Sequence, residues 1–175
     1  QTILEAAGAT VQNNIYKVAN TQTAITSNGA NPFAAVETKV LNNTFQAATL
    51  GQSYNGIDLG DQFTAAITLT NNDMSAATND IILTGIKVTS GTATITQSTI
   101  DSTGAAGIGI HLAGGASHVI GTNNVWGNRN ILSDLATGIQ LDDNTVDAST
   151  VTITFNDLST GNTLAIDNKD ANAIV

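Results

Sequence analysis

The sequence predicts an all-β solenoid: a right-handed parallel β-helix of about six coils, folded as one domain over residues 1–175. Three observations predict it. A box of the form apolar-x-x-Asn-x-apolar recurs along the chain. A second box with apolar residues at i and i+2 falls between its copies. The composition is polar yet nearly uncharged, which suits stacked short strands and tight turns.

The first box reads Val11, Asn14, Tyr16, then Val40, Asn43, Phe45, then Leu69, Asn72, Met74. It continues as Ile95, Ser98, Ile100, then Ile120, Asn123, Val125, then Ile153, Asn156, Leu158. Its centres lie 29, 29, 26, 25 and 33 residues apart, a near-regular period of the kind solenoids show. Asn tolerates left-handed backbone and caps its own turn. Stacked at the strand spacing, Asn amides can also bond to one another as a ladder. The apolar members would stack as a core column of Tyr16, Phe45, Met74, Ile100, Val125 and Leu158.

The second box reads Gly56-Ile57-Asp58-Leu59, Asp80-Ile81-Ile82-Leu83, Gly107-Ile108-Gly109-Ile110, Gly138-Ile139-Gln140-Leu141 and Thr163-Leu164-Ala165-Ile166. Apolar residues two apart share one face of a strand. From this box to the next first box the path is ten to twelve residues, and the opposite path is elastic. One side of each coil is therefore expected to be fixed and the other to accept insertions, of which residues 46–55 and 126–137 are the largest.

Composition bounds the function. Hydrophobic residues are 41% of the chain and charged residues only 11%, with a net charge of −9. Phosphate contacts depend on Lys and Arg, so nucleic acid is not an expected partner. Repulsion from anionic lipid argues against a membrane-surface role, and no apolar run is long enough for membrane insertion. The absence of cysteine is compatible with an oxidising exterior and provides no thiol catalyst. Gln1 opens the chain without Met and reads as a mature or excised start. The chain stops at Ala173-Ile174-Val175, where another strand is due, so the domain is expected to be a fragment of a longer solenoid.

Boxes such as Val40-Leu41-Asn42-Asn43-Thr44-Phe45 followed by Gly56-Ile57-Asp58-Leu59 resemble the right-handed parallel β-helix repeat family. That family includes pectate-lyase-like enzymes, periplasmic NosD-like proteins and bacterial surface passengers. The resemblance spans roughly residues 8–175 and speaks to fold, since the fold hosts enzymes, adhesins and scaffolds alike. Its lyases imply carboxylates around calcium with a basic proton acceptor, and its hydrolases imply close Asp pairs. Here the outward positions of the second box stack as Asp58, Ile82, Gly109, Gln140 and Ala165, one carboxylate only. No catalytic residue is assigned.

Asp142 and Asp143 are adjacent acids after a strand and read as a turn, with a calcium contact as the second reading. His111 and His118 are seven apart, which matches no zinc spacing, and read as surface histidines. The loops carry the ligand-binding candidates Tyr54, Trp126, Arg129 and Asp134, because binding residues gather in loops on rigid scaffolds. Trp126 near Arg129 could stack on a sugar or a peptide aromatic, or simply cover the core. The expected function is a non-enzymatic, extracellular or cell-surface module in adhesion or self-association. Its partners would be a neutral glycan or a protein surface, with self-association through solenoid ends and no cofactor beyond that calcium contact. The alternative is a truncated polysaccharide-active enzyme or carbohydrate-binding β-helix.

Overall fold

A computed structural model describes residues 1–5, 8–27, 36–60, 66–121, 126–142, 146–147 and 151–169. The chain is an all-β parallel solenoid of about five turns. Among the described residues, three sheets of seven, six and five strands form its walls, and a two-stranded sheet joins Gly115–Ala116 to Val146–Asp147. Paired strands come from successive turns and run parallel, so every wall is one residue position repeated up the axis.

The first sheet contains Ser53–Leu59, Ile81–Val88, Ile108–Leu112 and Thr137–Leu141 at its centre. The second contains Thr38–Leu41, Ala66–Thr70 and Thr92–Thr96, and the third Thr44–Ala47, Asp73–Ser75, Thr99–Asp101 and Ile131–Ser133. The enclosed core is aliphatic and stacks like on like: Val40, Leu69, Ile95 and Ile120 from the second sheet meet Ile57, Ile86, Ile110 and Ile139 from the first.

The corner between the second and third sheets is set by the Asn column. Asn13, Asn42, Asn71 and Gln97 take left-handed backbone with φ of 54–58°, a region Asn adopts more readily than most residues. In the middle of the column the next residue, Asn43, Asn72 or Ser98, turns inward and is buried. The Asn43 amide nitrogen donates to Asn72 Oδ1 at 3.1 Å, and Asn14 does the same to Asn43 at 3.1 Å. Each buried amide also holds a carbonyl of the preceding turn: Asn43 that of Val11 and Asn72 that of Val40. Ser98 continues the column, then Asn130, then Asn156.

Asn130 is a correction. The expected fifth member, Asn123, and its partner Val125 lie outside the described residues, and Asn130 with Leu132 fills the places they were given. Ile120 ends the second-sheet strand and Asn130 takes its place in the column directly before the third-sheet strand Ile131–Ser133, so the extra residues between them fall within the Asn corner itself. In the other turns that corner is the invariant path. The path from the first sheet to the second is variable instead: ten residues from Leu59 to Leu69, seven from Val88 to Ile95, eight from Leu112 to Ile120.

The second box is also re-registered. Ile57 pairs with Ile86, Ile86 with Ile110, Ile110 with Ile139 and Ile139 with Ile166. The true copies are therefore Gly85-Ile86-Lys87-Val88, Gly109-Ile110-His111-Leu112 and Ala165-Ile166-Asp167-Asn168. The segment Asp80 to Leu83 begins the same long strand, where Ile82 stacks on Tyr54. Apolar spacing of two fits both halves of that strand, which is why the pattern alone selected the wrong one.

Candidate functional site

With the register corrected, a glycine precedes the inward isoleucine in four successive turns: Gly56, Gly85, Gly109 and Gly138. Each faces inward with no room to spare. A Cβ on Gly56 would stand 2.5 Å from Met74 Sδ, and one on Gly85 would stand 2.7 Å from Ile100 Cδ1. Glycine and isoleucine are both buried, so each strand turns two consecutive positions toward the core. The strict alternation of a β-strand is broken there, and the strand bends inward.

That bend shapes the outer face. Two outward columns now stand three residues apart instead of two. One is Asn55, Thr84, Ile108, Thr137 and Leu164; the other is Asp58, Lys87, His111, Gln140 and Asp167. Between them a groove of about 360 Å³ runs along the solenoid axis, lined by Asn55, Thr84 and Ile108 on one side and Asp58, Lys87 and His111 on the other.

The wall is a polar row. Lys87 Nζ lies 3.7 Å from Asp58 Oδ2, across one strand step. His111 Nε2 lies 2.8 Å from Asp142 Oδ2, and Gln140 Nε2 donates to Asp142 Oδ1 at 2.8 Å. Burial raises the Asp142 pKa, but hydrogen bonds from Gln140 and His111 and the charges of His111 and Lys169 outweigh it and hold the carboxyl below its ordinary value. Carboxylate and imidazole are 31 residues apart in the chain and adjacent only because the turns stack.

The loop candidates fare differently. Tyr54 is fully buried, its hydroxyl donating to the Phe45 carbonyl at 3.3 Å, so it belongs to the core and offers no surface to a ligand. Burial, then the nearby charges of Asp80 and Asp73, push its phenol well above the usual tyrosine range. Trp126 opens a single 3-10 turn, Trp126–Asn128, and its side chain lies outside the described residues. Arg129 Nε faces Asp157 Oδ2 at 3.5 Å. Asp134 lines a hollow on the third sheet with Asp101, Asp157 and Thr160. The structure thus sets Tyr54, in the core, apart from Arg129 and Asp134, which have Asp157 as a common neighbour.

Asp143 lies outside the described residues, and both Asp142 oxygens already accept hydrogen bonds. Among the described residues no group of three His, Cys, Asp or Glu side chains is placed to hold a metal ion. His118 is a correction: it is buried, not on the surface. Its Nδ1 accepts from the Ala93 amide and its Nε2 faces the Gly114 carbonyl, both at 3.1 Å.

Sequence reading found Asp58 and Gln140 in the outward row but missed Lys87 and His111. A signal for them exists. The dipeptide Gly-Ile at 56, 85, 109 and 138 marks the true register, and a fifth copy at Gly107-Ile108 obscures it. No family model, curated protein or solved structure matches the chain. No helix among the described residues is long and apolar enough to cross a membrane.

Proposed function

We propose that the chain is the binding module of an extracellular or surface protein and that its axial groove takes an extended neutral glycan. The observation that carries this reading is the groove itself: a cleft about 360 Å³ in volume, open to solvent, with hydrogen-bonding side chains from each of the successive turns that line it. Parallel strands space those side chains about 4.8 Å apart, a short period suited to a polymer laid along the axis. Asn55 and Thr84 offer neutral donors and acceptors, and Asp58 and Lys87 offset one another in charge. The net charge of −9 disfavours a polyanion.

The test is retention of the chain on immobilised neutral polysaccharides and on polyuronates, with Thr84→Trp as the variant that fills the groove. The reading expects retention on a neutral polymer that Thr84→Trp abolishes while unfolding stays cooperative. Equal retention of both proteins, or retention on polyuronates alone, contradicts it.

Self-association is a second reading, favoured by the last described turn. Ile153, Leu158 and Ile166 are partly exposed there, whereas Ile120, Leu132 and Ile139 one turn earlier are wholly buried. Sedimentation across a concentration series separates the two: mass independent of concentration removes this second reading and leaves the first.

A further inference from the structure

We propose that His111 is a general base in the groove and that the chain hydrolyses acyl esters, acetyl above all, carried by the glycan bound there. This rests on the groove being the glycan site.

The assignment begins with the tautomer. A carboxylate only accepts, so the 2.8 Å contact to Asp142 Oδ2 places the imidazole proton on Nε2. Gln140 Nε2, 3.3 Å from the same ring nitrogen, directs its hydrogen to Asp142 Oδ1 instead. The lone pair is therefore on Nδ1, which has no hydrogen bond to any described residue. A base is oriented by a carboxylate that is itself oriented by an amide, the arrangement that prepares an imidazole to take a proton. Lys87 stands beside His111 in register, one strand step or about 4.8 Å away, and lines the same groove. Ile108 supplies an apolar contact for a small acyl group.

The chemistry balances with water alone. His111 Nδ1 takes a proton from water as the water oxygen bonds to the acyl carbon. The carbonyl electron pair moves onto its oxygen, where the Lys87 ammonium offsets the charge. When that pair returns, the bond to the sugar oxygen breaks and His111 gives its proton to the leaving oxygen. The products are a carboxylic acid and a sugar hydroxyl. Glycoside cleavage does not fit this wall, because it needs two carboxyl groups flanking the bond and Asp58 is the one carboxylate among the described residues that line the groove.

The experiment incubates the full chain with acetylated xylo-oligosaccharides and measures free acetate, alongside retention on the deacetylated polymer. His111→Gln should lower acetate release about 100-fold or more, and Lys87→Met should lower it too, with thermal unfolding recorded for each. Asp142→Asn tests positioning. The charged groups around His111 are Asp58 and Lys87 on one side and Asp142, Asp167 and Lys169 on the other. Without the Asp142 carboxylate the ring loses the partner that fixes its tautomer, so kcat for acetate release should fall while retention on the deacetylated polymer is unchanged. Retention without acetate release overturns the proposal and leaves the glycan reading standing. Release that His111→Gln does not change also overturns it. Neither retention nor release removes both.

Discussion

Asn43 spans three turns of the solenoid: its amide nitrogen donates to Asn72 Oδ1 and to the Val11 carbonyl, both at 3.1 Å, and its Oδ1 accepts from Asn14. A side chain that links its own turn to the ones before and after is a coupling element, and the stacked column fixes the register of both adjoining sheets.

Replacing a middle rung leaves buried partners unsatisfied. Asn72→Ala removes the donor to the Val40 carbonyl and the acceptor for Asn43, and should cost about 1–3 kcal/mol. Asn14→Ala, at an exposed end of the column, should cost under about 0.5 kcal/mol. Denaturant unfolding of the two variants checks the difference, and equal losses would mean that the column is not a coupled ladder.

The neighbouring core column predicts a larger effect. Phe45 is buried and stacks on Tyr16 with ring centroids 5.2 Å apart. Phe45→Ala should cost about 3–5 kcal/mol by lost burial and the cavity left behind. A loss comparable to a surface substitution would place the ring outside the core.

The glycine ladder makes a prediction that couples stability to binding. A methyl at Gly85 meets the Gly109 carbonyl and Ile100, both at 2.7 Å. Gly85→Ala should cost about 1–3 kcal/mol by overpacking and weaken glycan retention by moving the wall that holds Lys87. Gly127→Ala has no heavy atom within 4 Å of the new carbon and serves as the control, with neither effect expected. Normal retention by Gly85→Ala would separate the ladder from the groove.

His118 predicts a pH dependence. Burial lowers its pKa below the ordinary 6.5, partly opposed by the hydrogen bond to the Gly114 carbonyl. The unfolded chain then binds the proton more readily than the folded one. Stability is complete above about pH 6.5 and falls as the pH drops through that value toward the lower folded pKa. His118→Gln should cost stability at pH 7.5 and flatten this limb. An unchanged limb would assign it to other groups.

Much of the fold was legible because its signals repeat. Asn14, Asn43, Asn72, Ser98 and Asn156 hold the places their spacing indicated, and Tyr16, Phe45, Met74 and Ile100 stack beside them. The failures share a physical cause. Asn123 and Asn130 are the same residue type, so only the path of the insertion distinguishes them. Long strands such as Ile81–Val88 hold two apolar pairs of identical spacing. The site suffered most, because a register error of two residues put Gly109 where His111 belongs and removed the imidazole from the row. The contact between His111 and Asp142 depends on that register.

A backbone NMR titration with a neutral oligosaccharide shows directly whether the glycine-bent outer face binds a glycan along the axis. Binding along the axis should shift the amides of Asn55, Asp58, Thr84, Lys87 and His111, spread over successive turns of one face. Shifts confined to the 126–129 turn, or no shifts at saturating sugar, would contradict it.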